Sequence, residues 1–172
     1  MGNSAQNRVY KNTNEVKFGH VEGPGHGQEM PMTGGVYFAR RGGKFVTIGG
    51  TGNATPLAST GNSVFGWAEV ETKDSAATYP AILTTAGDRA FVIYADDRNV
   101  FELPVIKEID ASIGASIIGR GCGVDYTGGT TYGRKQGAVI YGSGASPLLI
   151  VDYNVDKRTV LVRKRSVPTQ YM

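Results

Sequence analysis

His20 and His26 are the only histidines, and both stand in a stretch broken by glycine and proline, His20-Val21-Glu22-Gly23-Pro24-Gly25-His26. His20 and Glu22 reproduce the H-x-E half of a zinc-deaminase pattern, but its P-C-x-x-C half cannot be built from a single cysteine, Cys122. Ser–His–Asp catalysis would draw on the same two histidines, and no G-x-S-x-G elbow is present. Cys122 lies in the strand-like run Gly119-Arg120-Gly121-Cys122-Gly123, where a free cysteine behaves as a small buried hydrophobe. Gly49-Gly50-Thr51-Gly52 lacks the G-K-[ST] ending of a phosphate loop, and no helix pattern follows it. Asp96-Asp97 and Asp110 do not repeat at EF-hand spacing, so a turn is the expected role of the Asp pair. The expectation is a protein with no catalytic residues, no metal site and no cofactor.

The formal net charge is +3 over 172 residues, too small to announce a nucleic-acid binder. Lys157, Arg158, Arg163, Lys164 and Arg165 crowd the C-terminal end, but strand alternation would point Arg163 and Arg165 away from Lys164. Without an aromatic stacking platform, Arg158, Arg163 and Arg165 read as contacts for an acidic partner surface or as charges guarding a sheet edge. No stretch approaches the length of a membrane-spanning helix. Met1-Gly2-Asn3-Ser4 lacks the marks of a signal peptide, and Gln6 departs from the myristoylation pattern, so synthesis in the cytoplasm is expected.

Three segments must position whatever these residues do. From Met1 to about Thr33, polar residues alternate with glycine and proline, and the apolar clusters are Val9-Tyr10 and Val16-Lys17-Phe18. Residues 1–33 therefore read as an extended N-terminal arm, mobile alone and able to order on a partner through Tyr10, Val16 and Phe18. Residues 34–165 read as the body and 166–172 as a short tail. In the body, β-branched and aromatic runs recur about every ten residues between Gly, Asn and Asp turns. Val36–Arg40 and Lys44–Ile48 read as a hairpin around Arg41-Gly42-Gly43. Arg89–Tyr94 and Val100–Val105 flank the Asp96-Asp97-Arg98-Asn99 turn, and Leu148–Tyr153 and Thr159–Arg165 form the last pair. A short helix fits only between Val105 and Ala115, and Gly49–Ser63 and Tyr126–Gly133 read as long loops. The predicted fold class is all-β, an antiparallel sandwich or barrel carrying the arm.

The segment Phe91 to Val105, with its strand, its Asp96-Asp97 turn and Val100-Phe101-Glu102-Leu103-Pro104-Val105, resembles head decoration (cement) proteins of tailed bacteriophages. Asp110-Ala111-Ser112-Ile113-Gly114-Ala115, the loop Gly128 to Arg134 and the basic final strand are similar to the elements that follow in that family. The resemblance covers Arg89 to Arg165 and leaves the arm and first hairpins unaligned. It implies a structural virion protein, made in the host cytoplasm, that binds the major capsid protein on the outside of the head. It also implies a homo-oligomer, with a trimer favoured over a dimer, no nucleic acid and no membrane partner. Many weak contacts repeated over a shell would then add up to firm attachment. The competing reading is a glycan- or host-surface-binding module of a phage fibre or appendage, with Trp67 and the 9 tyrosines as stacking faces.

Overall fold

Side-chain alternation sorts the strands into two sheets that share one boundary. The computed structural model describes residues 19–39, 43–58, 63–69, 81–84, 88–109, 111–127, 135–140 and 146–166. Its strands are β1 (Gly19–Glu22), β2 (Gly27–Pro31), β3 (Tyr37–Ala39), β4 (Gly43–Ile48), β5 (Ala54–Pro56), β6 (Gly66–Glu69) and β7 (Ala81–Leu83). They continue as β8 (Arg89–Tyr94), β9 (Val100–Glu108), β10 (Gly121–Thr127), β11 (Lys135–Ile140), β12 (Leu148–Asn154) and β13 (Thr159–Lys164). The only helical turn among the described residues is a 3-10 turn at Ala115–Ile117. The protein is all-β.

The first sheet runs β1-β9-β11-β10-β12-β13, and pairing of β9 with β13 closes it into a ring with β1 as an added strand. β9 and β11 run parallel, and every other pairing in this sheet is antiparallel. The second sheet runs β2-β8-β6-β4-β5, and a bridge between Met32 and Ala54 draws its two outer strands together. β3 and β7 form a separate short ladder.

Consecutive residues of the second sheet enter different cores. Phe45, Trp67 and Ile93 join a cluster with the ring interior, including Phe101, Leu103, Ile140, Leu148, Ile150 and Val162. Their neighbours Val46, Ala68 and Val92 face the other way, onto Met30, Met32, Val36, Ala54 and Ala90. This explains why Phe45-Val46 and Val92-Ile93 stand as adjacent apolar residues: the middle of β4 and of β8 is dry on both faces, while Ile48 and Phe91 are partly exposed. Edge-to-face rings seal the boundary between the sheets, with Phe45 at 5.0 Å from Trp67 and 5.1 Å from Phe101. Each such pair adds about 0.5–1.5 kcal/mol beyond the area it buries.

Several expectations are corrected. The boundary of the arm moves: residues 19–22 and 27–31 are strands of the body, with β1 paired to β9 and β2 to β8. Their own apolar content is small, but they complete sheets whose other strands supply the core. The remainder of that arm, residues 1–18, lies outside the described residues, as do residues 167–172 of the tail. β3 and β4 are not a hairpin. β4 uses both edges, on β5 and β6, so β3 pairs with β7. β8 and β9 flank their turn but part into different sheets. The short helix expected before Ala115 is absent, because β9 extends to Glu108 and the 3-10 turn begins at Ala115. The expected loop at Gly49–Ser63 contains β5.

Deleting residues 1–18 should therefore leave a cooperative thermal transition in circular dichroism. Deleting residues 1–33 removes β1, β2 and the buried Met30 and Met32. At about 2–5 kcal/mol per buried methionine, plus two lost ladders, that exceeds the margin of a typical domain. No cooperative transition is expected from the shorter chain.

Candidate functional site

Two polar junctions fix how the sheets meet, and both use residues whose types suggested chemistry. The first is a corner. Asp96 Oδ1 accepts from the backbone N–H of Arg98 and of Asn99, both at 2.9 Å, so the turn caps itself. Those bonds and the Arg98 guanidinium hold the Asp96 carboxyl below its usual range, against the opposing effect of its burial. Fully buried Asn99 donates through Nδ2 to the Tyr94 carbonyl and accepts at Oδ1 from the Gly25 N–H and, at 3.0 Å, from His20 Nε2. The His20 ring also stands edge-on to Phe101. Gly23, at φ 108°, passes so close that a Cβ would lie 2.4 Å from the Arg98 carbonyl oxygen. His20 is thus a strut between β1 and the corner. Among the described residues no group of His, Cys, Asp and Glu is arranged to hold a metal ion.

The second junction joins β4 to the β10–β11 hairpin. Gln136 Oε1 accepts from the Phe45 N–H at 2.7 Å, and its amide nitrogen donates to the Phe45 carbonyl and to the Tyr126 hydroxyl. Tyr126 in turn donates to the Leu57 carbonyl. Buried Lys44 places its Nζ 4.8 Å from the centre of the Tyr126 ring, and desolvation pushes its pKa down from 10.5 to about 8.

Cys122 is buried in the ring core, and desolvation pushes its thiol up to about 12, so the neutral, non-nucleophilic form persists at physiological pH. Trp67 is 1 % exposed and lies in the core, which removes it as a stacking face for a sugar. Among the described residues its indole N–H has no hydrogen-bond partner, a cost of about 1–3 kcal/mol.

Of the contact residues expected from sequence, Tyr10, Val16 and Phe18 lie outside the described residues. Arg158, at φ 51° in the β12–β13 turn, pairs with Glu108 at 3.6 Å, and its carbonyl accepts from the Val105 N–H. Its placement is that of a brace on the ring. Arg163 and Arg165 are half-buried while Lys164 is exposed, and the Arg165 N–H donates to the Pro147 carbonyl.

A further set of residues carried no motif. Val160, Val162, Leu148, Ile150 and Phe101 point into the ring, so Leu161, Arg163, Leu149, Val151 and Val100 point outward. None of these outward residues belongs to either core, and all are half-buried. The signal available in the sequence was leucine and valine at both parities of β12 and β13, one parity more than the ring interior requires.

No family model, curated protein or solved structure matches the chain.

The buried ammonium of Lys44 gives stability a signed pH dependence. Its folded pKa is depressed, so between pH 8 and 10.5 the unfolded chain holds more protons, and stability rises with pH across that window. The expected gain is about 1–3 kcal/mol, discounted for screening. Chemical denaturation of wild type and Lys44→Met at several pH values checks it. The methionine variant should be the more stable at pH 7, and the difference should close by about pH 10.5. A gap that stays constant with pH would contradict the buried-ammonium account.

Proposed function

We propose that the protein is a structural capsid decoration protein that binds the outer surface of a phage head as an oligomer and is not an enzyme. The observation that supports this reading most is that Arg89–Arg165, the stretch resembling the head decoration family, folds as β8 plus the closed ring β9–β13. Beyond β8, which joins the other sheet, the resembling stretch is a unit that closes its own hydrogen-bond ladders and contains no disulfide. A shell protein benefits from such closure, because copies held at high local concentration must not pair edge to edge. Asn99 and Gln136 inside the body are engaged in holding the two sheets together, and in this reading attachment falls to outer faces and to residues 1–18.

In this reading the segment upstream of Gly19 acts as the latch, with Tyr10, Val16 and Phe18 seated on a neighbouring capsid subunit. The partner is the major capsid protein, and the protein resides on the virion exterior after synthesis in the host cytoplasm.

Co-sedimentation with empty phage heads tests this. The full chain should saturate heads at a fixed ratio and raise the temperature at which they disrupt. Tyr10→Ala combined with Phe18→Ala should lower affinity for heads by at least ~10-fold, with an unchanged melting temperature of the free protein. Heads that saturate equally well with that variant would remove the latch, and heads indifferent to the wild type would remove the decoration reading.

A further inference from the structure

The outward residues of the ring form one continuous surface. Register places Leu149 opposite Arg163 and Leu161 opposite Glu102, while Glu102 lies opposite Gly19 on the far side of β9. Val100 lies opposite Glu22, and the bulge between Ile150 and Asp152 turns Val151 outward beside Leu161. The surface thus crosses β12, β13, β9 and β1 and ends at Val21, which is 47 % exposed. It carries Leu149, Val151, Leu161, Val100 and Val21 where a solvated sheet face would carry polar residues.

Charges of both signs sit within this surface. Arg163 is half-buried on the apolar side, and Glu22 is exposed at the β1 side; neither makes an ion pair or side-chain hydrogen bond among the described residues. A half-desolvated guanidinium without an acceptor is unfavourable unless a carboxylate arrives from elsewhere. Asp152, also outward, adds a second acid on the β12 side.

We infer that this outer face of β12, β13, β9 and β1 is where a second copy of the chain docks, paired about a two-fold axis. An isologous contact brings each patch onto itself. The row that carries Arg163 on one side of Val100 and Glu22 on the other therefore complements its own copy when the axis passes at Val100, while Glu102 is held by the Thr159 hydroxyl. Arg163 of one copy meets Glu22 of the other, and the reverse pair forms by symmetry, around a centre at Val100 with Leu161 beside it. This rests on the oligomeric part of the proposed function and not on capsid binding. It names a two-fold pair in place of the trimer to which the family resemblance leans.

Sedimentation velocity of the full chain, with thermal melting as a check on folding, tests the pairing. The wild type should sediment as a dimer. Leu161→Asp, and separately Arg163→Glu or Glu22→Arg, should each weaken the dimer by ~30–100-fold without lowering the melting temperature by more than a few degrees. Arg163→Glu with Glu22→Arg together should restore the dimer to within about tenfold of wild type, which a merely structural role for either residue would not do. A wild type that is monomeric at about 100 µM overturns the inference, as does an oligomer insensitive to Leu161→Asp or a double swap that fails to recover. Capsid binding by the same variants separates the two readings. Head occupancy lost while self-association persists would give this face to the shell subunit and overturn the pairing. Dimers that respond as expected, with heads left unbound, would overturn only the decoration reading.

Discussion

The middle of the sheet β2-β8-β6-β4-β5 has to be dry on both faces, and the rest of the molecule is arranged to satisfy that demand. Antiparallel sheets usually hide one face and wet the other. Here Phe45 and Val46, Trp67 and Ala68, and Ile93 and Val92 are adjacent residues that enter different cores. One face is covered by the sheet's own curl, drawn shut between Met32 and Ala54. The other is covered by the end of the ring, where Phe101 meets Phe45 and Trp67. Remove the ring and this second face becomes an exposed aromatic surface. The two sheets are therefore a single cooperative unit despite having separate ladders.

Burying backbone at such a boundary obliges the chain to account for its polar groups, and it does so with few side chains. Phe45 is the register partner of Trp67 in the β4–β6 ladder, and its N–H donates to the Gln136 Oε1 while its C=O accepts from both the Leu57 N–H and the Gln136 amide. Asn99 performs the equivalent task at the corner, tying β1, the β1–β2 connection and β8 together with three hydrogen bonds. Both residues work because an amide offers a donor and an acceptor at once, which a carboxylate or an ammonium cannot. Lys44, at the same boundary, carries a charge, and desolvation of that charge by burial is what depresses its pKa.

What could be read in the sequence follows from which interactions are local. Strand existence and the all-β class were legible from β-branched runs and turn residues, and the β12–β13 pair could be read because its turn and its two ladders are adjacent in the chain. Pairing elsewhere was not. The Arg41-Gly42-Gly43 signal reports a change of direction and says nothing of which strand will offer β4 an edge. The Asp96–Asn99 turn likewise marks a corner between sheets as readily as a hairpin. Residues 19–31 looked like an arm because composition measures what a segment can bury alone, whereas β1 and β2 are held by ladders to β9 and β8, far along the chain. His20 was weighed as a possible ligand, since nothing local reveals that Asn99 and Phe101 will close around it. The outer face could have been suspected from Leu149, Leu161 and Val151, but only once the inward parity of β12 and β13 was known.

Closure decides which surfaces are left for association. In the ring, β9 pairs with β11 on one side and β13 on the other, so its strands offer no row of free backbone groups. Among the described residues β1 has an unpaired outer edge in that sheet, but it is short, distorted between His20 and Glu22, and ends on an acid. Short, bulged and charged edges resist strand addition. Contacts made by this sheet must then run through side chains on its outer face. That face has the chemistry of a contact surface, with leucines and valines interspersed with Arg163, Glu102 and Glu22, a mixture in which apolar anchors supply affinity and charges supply orientation. The same side-chain alternation that forces Val160 and Val162 into the core forces Leu161 and Arg163 out of it, so the fold and its candidate docking face are set by one periodicity.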